Sequence, residues 1–218
     1  MTIIATLKKP LMLTSRNKKL NHFYSLHEQP VTVLDVGVST EIGKTGELGK
    51  LRNHFLKHFR YQDSFYTGLG VEELAGMEKL FPGKKFVQYQ GGKFPFETKE
   101  FQWVFSNAVI EHVGDDRAKM QFINEMLRVG EKVFFTTPNK YFPVETHTGV
   151  FLLHWSNRLF YPWCAKYSPK KNRDNLDLLS YRQLKNMLGL SGANYKIYRN
   201  RVLGFTMTFT VVCQKQFS

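Results

Sequence analysis

The chain has 218 residues, and its 31 lysines and arginines against 18 aspartates and glutamates give a formal net charge of +13. This length suffices for one well-filled α/β domain, and the charge favours anionic partners such as phosphates, nucleotide-linked substrates, nucleic acid or acidic lipid. The two cysteines lie far apart and lack CxxC spacing, which argues against a disulfide framework or a zinc knuckle. No apolar run reaches the length of a membrane span or a signal-peptide core, so we expect a soluble, cytoplasmic protein.

Residues 1–30 are basic and mixed in character. Phe23, Tyr24 and Leu26 predict a short helix that stops at Pro30. We expect residues 1–30 to form an N-terminal cap and residues 31–218 to form a single domain.

The segment Val31–Val36 is a run of apolar and β-branched residues that contains Asp35 and leads into Gly37. Such a run predicts a buried strand that opens into a tight turn. In a parallel α/β sheet, ligands bind where strands end, and a glycine there lets the backbone approach the ligand closely. The sequence therefore predicts a cofactor over Asp35 and Gly37.

Strand and helix patterns alternate along the following residues, which predicts a parallel sheet with helices on both faces. The predicted helices cover 48–59, 74–80 and 117–129, and the predicted strands cover 65–71, 85–89, 101–106 and 132–137. Ser180 is a good cap for a helix that we expect to end near Gly189. Two last strands, at 195–199 and 205–213, predict an antiparallel hairpin.

These strand ends resemble the motifs of class I S-adenosylmethionine-dependent methyltransferases. The first motif of that family is a strand followed by Asp-x-Gly-x-Gly-x-Gly, and here Ser39 and Glu41 stand at the second and third glycines. The stretch Phe101–Val113, which contains Val-Ile-Glu-His-Val, resembles the fourth motif of the small-molecule members. The resemblance implies the Rossmann-like class I methyltransferase fold, an α/β fold with a seven-stranded, mostly parallel sheet that closes on an antiparallel C-terminal hairpin.

The resemblance also implies S-adenosylmethionine as cofactor and assigns residues to it. Glu72 stands where the family has a ribose-binding carboxylate, with Glu73 as the alternative. Gln90 stands in the adenine-binding turn, where relatives commonly have an aspartate, and its amide oxygen accepts the same kind of hydrogen bond. The predicted cofactor-binding residues are Asp35, Gly37, Val38, Ser39, Glu72, Gln90, Gly91, Ser106 and Asn107.

A methyl transfer needs an acceptor held in line and, for many oxygen and nitrogen acceptors, a general base. We favour His147 as the base, because imidazole titrates near neutral pH, with Glu145 orienting it or binding the acceptor. His112 is a second candidate, for which a structural hydrogen bond is an equal alternative. All three residues have the alternative role of tying down their loops. No metal is expected, and His54 and His58 are expected to be solvated.

The segment 150–167 is rich in large apolar residues, which predicts a lid over the acceptor, a contact with a membrane surface, or a helix packed on the core. The basic residues Lys166, Lys170, Lys171 and Arg173 indicate a phosphate site or a solvated face. The predicted function is methyl transfer to an oxygen or nitrogen of a small or medium-sized acceptor, such as a nucleotide- or lipid-linked sugar. The alternatives are an RNA methyltransferase and a non-catalytic protein that keeps the fold.

Overall fold

The computed structural model describes residues 3–39 and 53–215, with the side chains of the first helix described from residue 12. Its strands are β1 (Val33–Val36), β2 (Tyr66–Gly70), β3 (Lys85–Gln88), β4 (Phe101–Asn107), β5 (Gly130–Pro138), β6 (Ala193–Val202) and β7 (Phe205–Lys215). Its α-helices are α1 (Ile3–Tyr24), α2 (His54–Lys57), α3 (Met77–Leu80), α4 (Asp116–Val129), α5 (Asn157–Tyr167) and α6 (Tyr181–Leu190).

The strands form one sheet in the order β3-β2-β1-β4-β5-β7-β6. β2 pairs in parallel with β1 and β3, and β4 pairs in parallel with β5. β7 pairs antiparallel with both β5 and β6, so that it alone runs against the other six described strands. The predicted fold class, a Rossmann-like class I methyltransferase fold with an antiparallel C-terminal hairpin, is confirmed.

The chain divides into two compact units, Met1–Gln90 and Gly91–Ser218. In the first unit, every residue of β1 and β2 is buried. The end of α1 packs on this core, since the ring of Phe23 meets the ring of Phe55 on α2 edge to face at 5.4 Å. Aromatic contacts of this kind stabilise beyond the area they bury.

The core of the second unit lies around β4, β5 and β7. Phe105 of β4 and Phe134 of β5 stack with centroids 5.4 Å apart. Helix α4 begins at Asp115, whose side chain accepts the amide hydrogen of Ala118, and it buries Phe122 among other residues. An aspartate in this position satisfies an amide that the first helical turn leaves without a partner.

Three helices differ by three or more residues from their predicted bounds. The helix predicted over 74–80 is α3, Met77–Leu80. α1 is a long helix from Ile3 to Tyr24, where the sequence predicted a short one near its end. The helix predicted over 48–59 is His54–Lys57 among the described residues, while its first part and the predicted loop 41–50 lie outside them. In the described ranges, no helix is both long enough and apolar enough to cross a membrane.

Candidate functional site

The turn after β1 is held against the end of β2. Gly37 has φ of +97°, a left-handed conformation that side-chain-bearing residues adopt at a cost. The backbone amides of Gly37 and Val38 both donate to the carbonyl oxygen of Leu69, at 2.8 and 3.1 Å. The side chain of Val38 is buried, so this predicted cofactor residue contributes to the core of the turn as well.

Glycines on β2 make this close approach possible. A Cβ atom placed on Gly70 would lie 2.1 Å from the carbonyl oxygen of Val38, which no side chain can tolerate. A Cβ atom on Gly68 would lie 2.9 Å from the ring of Phe86. The sequence analysis did not identify either glycine as part of the site, although the repeat Gly-Leu-Gly in an otherwise buried strand is a signal of close backbone approach.

The side chain of Asp35 lies in the interior of the first unit. Its Oδ2 atom accepts hydrogen bonds from the Tyr66 hydroxyl at 2.6 Å and from the Asn53 side chain at 2.8 Å. Burial raises the pKa of Asp35 to about 6, although both hydrogen bonds act in the opposite direction. Asp35 therefore ties β1, just before the Gly37 turn, to the first residue of β2 and to the residue that caps α2.

Two further predicted cofactor residues of the first unit lie at the surface. Glu72 follows β2 directly and is exposed, as is Gln90, the last residue of the unit. The amide of Tyr89 donates to the carbonyl of Gly70 at 3.0 Å, which fixes the chain just before Gln90. Ser39 is half-buried, and Glu41 lies outside the described residues.

The second unit begins with a glycine turn. Gly91 and Gly92 have φ of +86° and +74°, and a Cβ atom on Gly91 would meet nothing within 4 Å. The segment that follows is tied to α4, because Arg128 donates to the carbonyls of Phe94 and Phe96 and to Glu125. The turn is thus open on the side where a Cβ atom would stand, and its downstream end is fixed.

The end of β4 carries the next two predicted residues. The Ser106 side chain is buried, and the Asn107 side-chain oxygen accepts a hydrogen bond from the Thr136 hydroxyl at 2.8 Å. Ala108 then turns the chain with φ of +58°, while its amide donates to the Thr136 carbonyl at 3.0 Å. A non-glycine residue in the left-handed region is strained, and such residues concentrate at ligand sites.

The three predicted catalytic residues form a continuous chain of close polar contacts. The Nδ1 atom of His147 lies 2.7 Å from the Glu145 carboxylate, and its Nε2 atom lies 3.2 Å from Nε2 of His112. The Nδ1 atom of His112 lies 2.6 Å from the carbonyl oxygen of Asn175. The sequence placed His112 and the 145–147 loop in separate segments, and the fold brings them together. We call Glu145, His147 and His112 the imidazole chain.

Burial and the neighbouring polar groups shift the pKa values of Glu145 and His112 in opposite directions. Burial alone would raise the pKa of Glu145, but the His147 ring and the Thr148 hydroxyl hold it at about 2. Both oxygens of Glu145 accept hydrogen bonds, from the amides of His147 and Thr148 among others. Burial lowers the pKa of His112, against the opposing effect of the Asn175 carbonyl. Glu145 is therefore a fixed carboxylate that orients His147.

Neighbouring residues that the sequence analysis did not assign support the chain. Glu111 is fully buried beside His112, and its Oε2 atom accepts from the Thr137 hydroxyl at 3.2 Å. The Glu111 carbonyl accepts the amide of Asp177, which in turn forms a buried ion pair with Lys119 of α4. The adjacent Glu-His pair in the stretch that resembles a methyltransferase motif was the available signal for Glu111, whereas nothing in the sequence links Lys119 to Asp177.

The aromatic segment 150–167 has one buried and one exposed side. Phe160 and Cys164 of α5 pack against Leu176 and Leu178. Several large apolar side chains on the same segment and the loop before it are exposed, namely Tyr141, Phe151, Leu152, Trp155, Leu159 and Tyr167. One face of α5 therefore packs on the core of the second unit, while Leu159 and Tyr167 of the same helix are exposed.

The order of the seven strands and the single antiparallel strand define the class I methyltransferase fold. No family model and no curated protein matches the sequence. Similarity to solved structures supplies the comparison instead.

Three methyltransferase structures illustrate that similarity. A structure of S-adenosylmethionine-dependent methyltransferases from Methanosarcina mazei is 14% identical, with a TM-score of 0.60 over 90% of this chain and 97% of that one. The 1,6-didemethyltoxoflavin-N1-methyltransferase of Burkholderia thailandensis, solved with 1,6-didemethyltoxoflavin and S-adenosylhomocysteine, is 10% identical, with a TM-score of 0.60 over 98% and 88%. An S-adenosylmethionine-dependent methyltransferase from Aquifex aeolicus is 15% identical, with a TM-score of 0.54 over 96% and 95%. At these identities the similarity establishes the fold.

Proposed function

We propose that the protein is an S-adenosylmethionine-dependent methyltransferase acting on an oxygen or nitrogen of a small or medium-sized acceptor. The observation that carries the proposal is the β1 turn, where Gly70 leaves room for the Val38 carbonyl and Glu72 follows at the surface. The class I strand order and the methyltransferases of the same fold support the same activity. Function still depends on the residues of the site, since one fold serves many chemistries.

The described residues fit the cofactor. In the first unit, we propose that Gly37, Val38 and Ser39 face it with the backbone, that Glu72 accepts the ribose hydroxyls, and that Gln90 accepts from the adenine amino group. Asp35 supports the Gly37 turn from inside. In the second unit, the open glycine turn at Gly91 leaves space for a ring, and Ser106 and Asn107 are proposed for the methionine part.

The bound cofactor supplies an electrophilic methyl group on a sulfonium, so the protein needs no covalent nucleophile of its own. The remaining task is to hold the acceptor and to remove its proton. We propose that the imidazole chain does this, with His147 oriented by Glu145 through the 2.7 Å contact and His112 held by the Asn175 carbonyl.

For the acceptor, the charge of +13 supports an anionic compound. A nucleotide- or lipid-linked sugar has that character. The exposed face around Phe151, Trp155 and Leu159 supports an acceptor with an apolar part, or one presented at a membrane surface. RNA is the second candidate, and the same charge is what favours it. The altered glycines at Ser39 and Glu41 support the third, a non-catalytic protein that keeps the fold.

Calorimetric titration with S-adenosylmethionine and S-adenosylhomocysteine tests the proposal. We expect micromolar binding of both, weakened at least about 10-fold in Glu72→Ala, because a hydrogen bond to a charged group is lost. Glu78→Ala, which removes an exposed carboxylate from α3, should bind like the unmodified protein. If Glu73→Ala weakens binding and Glu72→Ala does not, the ribose contact belongs to Glu73. If neither compound binds, the result favours the non-catalytic protein.

A further inference from the structure

The hydrogen bonds of the imidazole chain fix where its protons lie. A backbone carbonyl only accepts, so Nδ1 of His112 donates to Asn175. Both oxygens of Glu145 accept hydrogen bonds from backbone amides, as expected of an ionised carboxylate that has no hydrogen to donate. In the contact between the two side chains, Nδ1 of His147 is therefore the donor and Glu145 the acceptor. In neutral imidazole one nitrogen donates and the other accepts. Each ring therefore presents the lone pair of its Nε2 atom toward the other ring.

Two lone pairs at 3.2 Å repel each other unless a positive charge lies between them. Either a shared proton or a metal ion meets this need. The ring planes are perpendicular and their centroids lie 4.8 Å apart, so the rings meet at an angle rather than in line. An angled contact is a poor geometry for a linear N–H···N hydrogen bond, which favours an ion bound to both nitrogens over a shared proton.

A third donor lies at the same place. One carboxylate oxygen of Glu111, one ring nitrogen of His112 and one ring nitrogen of His147 all lie within 4.8 Å of one another. Metal–nitrogen and metal–oxygen bonds of about 2.0 to 2.2 Å hold neighbouring ligand atoms somewhat closer than this, so the three donors would draw together on binding an ion. The fully buried Glu111 carboxylate adds negative charge, and the hydroxyl of Thr137 supports it from behind.

We propose that Glu111, His112 and His147 form a binding site for a divalent first-row transition metal ion. Two imidazoles and one carboxylate are a donor set suited to Mn²⁺, Fe²⁺, Co²⁺ or Zn²⁺ rather than to Mg²⁺ or Ca²⁺, which take oxygen ligands. The outer hydrogen bonds have the form usual at metal sites, where a ligating histidine donates its other ring hydrogen to a carboxylate or a backbone carbonyl. Here Glu145 and Asn175 take those two roles.

Three protein ligands leave coordination positions open, and both histidines are half-buried, so solvent molecules can reach the ion. Resting on the proposed function, the open position would bind the acceptor oxygen and lower the pKa of its hydroxyl, as metal ions do for bound water. The hydroxyl proton would pass to solvent, and the oxygen would take the methyl group as its bond to the cofactor sulfur breaks. His147 then acts as a ligand, and the ion replaces it in activating the acceptor.

Metal titration of the full chain tests the site. The protein is first treated with a chelator, then titrated with Zn²⁺ and Mn²⁺ by calorimetry, and with Co²⁺ by visible absorption. We expect one ion per chain at micromolar or tighter affinity, weakened at least about 10-fold in His112→Gln and in His147→Gln. Glu145→Gln, which leaves the ligands in place, should weaken binding about 10-fold through its effect on His147.

The control is His58→Gln. His54 of α2 and His58, which follows the helix, are another close histidine pair among the described residues, with centroids 4.4 Å apart, and provide a competing site. The tight ion should remain in His58→Gln. Three outcomes would each overturn the metal site: equal binding by the unmodified protein and by both His112→Gln and His147→Gln, loss of binding in His58→Gln instead, and no binding tighter than millimolar. In each case a shared proton would remain as the explanation of the contact between the two histidines.

The two proposals fail separately. Binding of S-adenosylmethionine to the metal-free protein without any tight ion would overturn the metal site alone. A tight ion without cofactor binding would support the metal site and overturn its use on a methyl acceptor. With both bound, methyl transfer should stop on chelation and return on adding the ion, whereas transfer that is unaffected by chelation would overturn the role of the ion in the reaction.

Discussion

Asp35 has two properties that conflict at neutral pH. Its side chain is buried, which penalises the charged form, yet it accepts hydrogen bonds from Tyr66 and Asn53, which favour that form. Burial dominates, and the pKa rises from 3.8 to about 6. Because folding favours the protonated carboxyl, the contribution of Asp35 to stability is largest below about pH 4 and is lost as the pH rises through 6.

Asp35→Asn should therefore change how stability depends on pH. The amide keeps the size of the side chain but does not ionise, and a shift of this size corresponds to about 3 kcal/mol. We expect the free energy of unfolding of the unmodified protein, relative to Asp35→Asn, to fall by roughly that amount between pH 4 and pH 7.5. Urea denaturation at closely spaced pH values measures it.

Tyr66→Phe supplies the matched comparison. It removes one donor that lowers the pKa of Asp35, so the pH at which stability falls should move upward. Parallel stability curves for the unmodified protein and Asp35→Asn would contradict the burial argument. From the sequence, Asp35 could be placed before Gly37 in a strand-end turn, but its partners could not be identified, because Asn53 and Tyr66 lie 18 and 31 residues further along the chain.

Among the elements, α4 and the segment before α6 are joined by a buried ion pair. Lys119 of α4 is fully buried and pairs with Asp177, whose other carboxylate oxygen accepts from the Tyr161 hydroxyl on α5. The backbone amide of Asp177 donates to the carbonyl of Glu111. Three elements thus meet at Asp177, directly behind the motif that carries His112.

Lys119→Met should destabilise the protein by about 3 to 5 kcal/mol, because it leaves the buried carboxylate of Asp177 without its cation. Chemical denaturation monitored by circular dichroism measures the loss. The double variant Lys119→Met with Asp177→Asn should recover a large part of it, since neither charge then remains. A loss below about 1 kcal/mol in Lys119→Met would contradict the inference that the pair is essential to this junction.

Element ends show where prediction from sequence succeeds. Ser180 was predicted as the cap of α6, and the structure has it accepting from Gln183 with the reciprocal bond also present. The helix, which was predicted to end near Gly189, ends at Leu190, and it is Gly192 rather than Gly189 that takes the left-handed conformation, with φ of +65°. Both glycines are suitable stops, and the sequence does not indicate which of them the chain turns at.

The contacts that could not be predicted from the sequence join residues far apart along the chain. The alternating strand and helix patterns are local, and they were sufficient to predict a parallel α/β sheet with a terminal hairpin, while the resemblance of the strand ends implied the class I fold. The start of α1 was missed because Lys8, Lys9 and Pro10 interrupt the apolar pattern of that segment. The imidazole chain was predicted residue by residue, whereas the contact between His112 and His147 joins positions 35 residues apart and depends on the packing of their loops.

At the scale of the whole molecule, the excess of basic residues is compatible with both proposed enzymatic functions, a small-acceptor and an RNA methyltransferase. A net charge of +13 attracts any polyanion, so RNA binding by itself does not identify RNA as the substrate. Counterion release makes such binding steeply dependent on salt, while recognition of a small acceptor in a site depends on salt much less. The exposed residues Lys170 and Arg173 belong to the basic run near α5 and provide a local contribution to this charge.

We therefore expect single-stranded RNA to bind weakly and to lose at least about 10-fold in affinity between 50 and 200 mM salt, measured by fluorescence anisotropy. Lys170→Glu with Arg173→Glu should lower that affinity further. It should also reduce the slope of log affinity against log salt concentration by about 1 to 2, one for each phosphate contact removed. Binding of S-adenosylmethionine should change less than about 2-fold over the same salt range, because the contacts proposed for it are hydrogen bonds at strand ends.

Methylation of an RNA at 200 mM salt, with a preference for one sequence or structure, would contradict the small-acceptor function. Transfer to a sugar-type acceptor with RNA left unmethylated would identify the charge as a property of the surface alone.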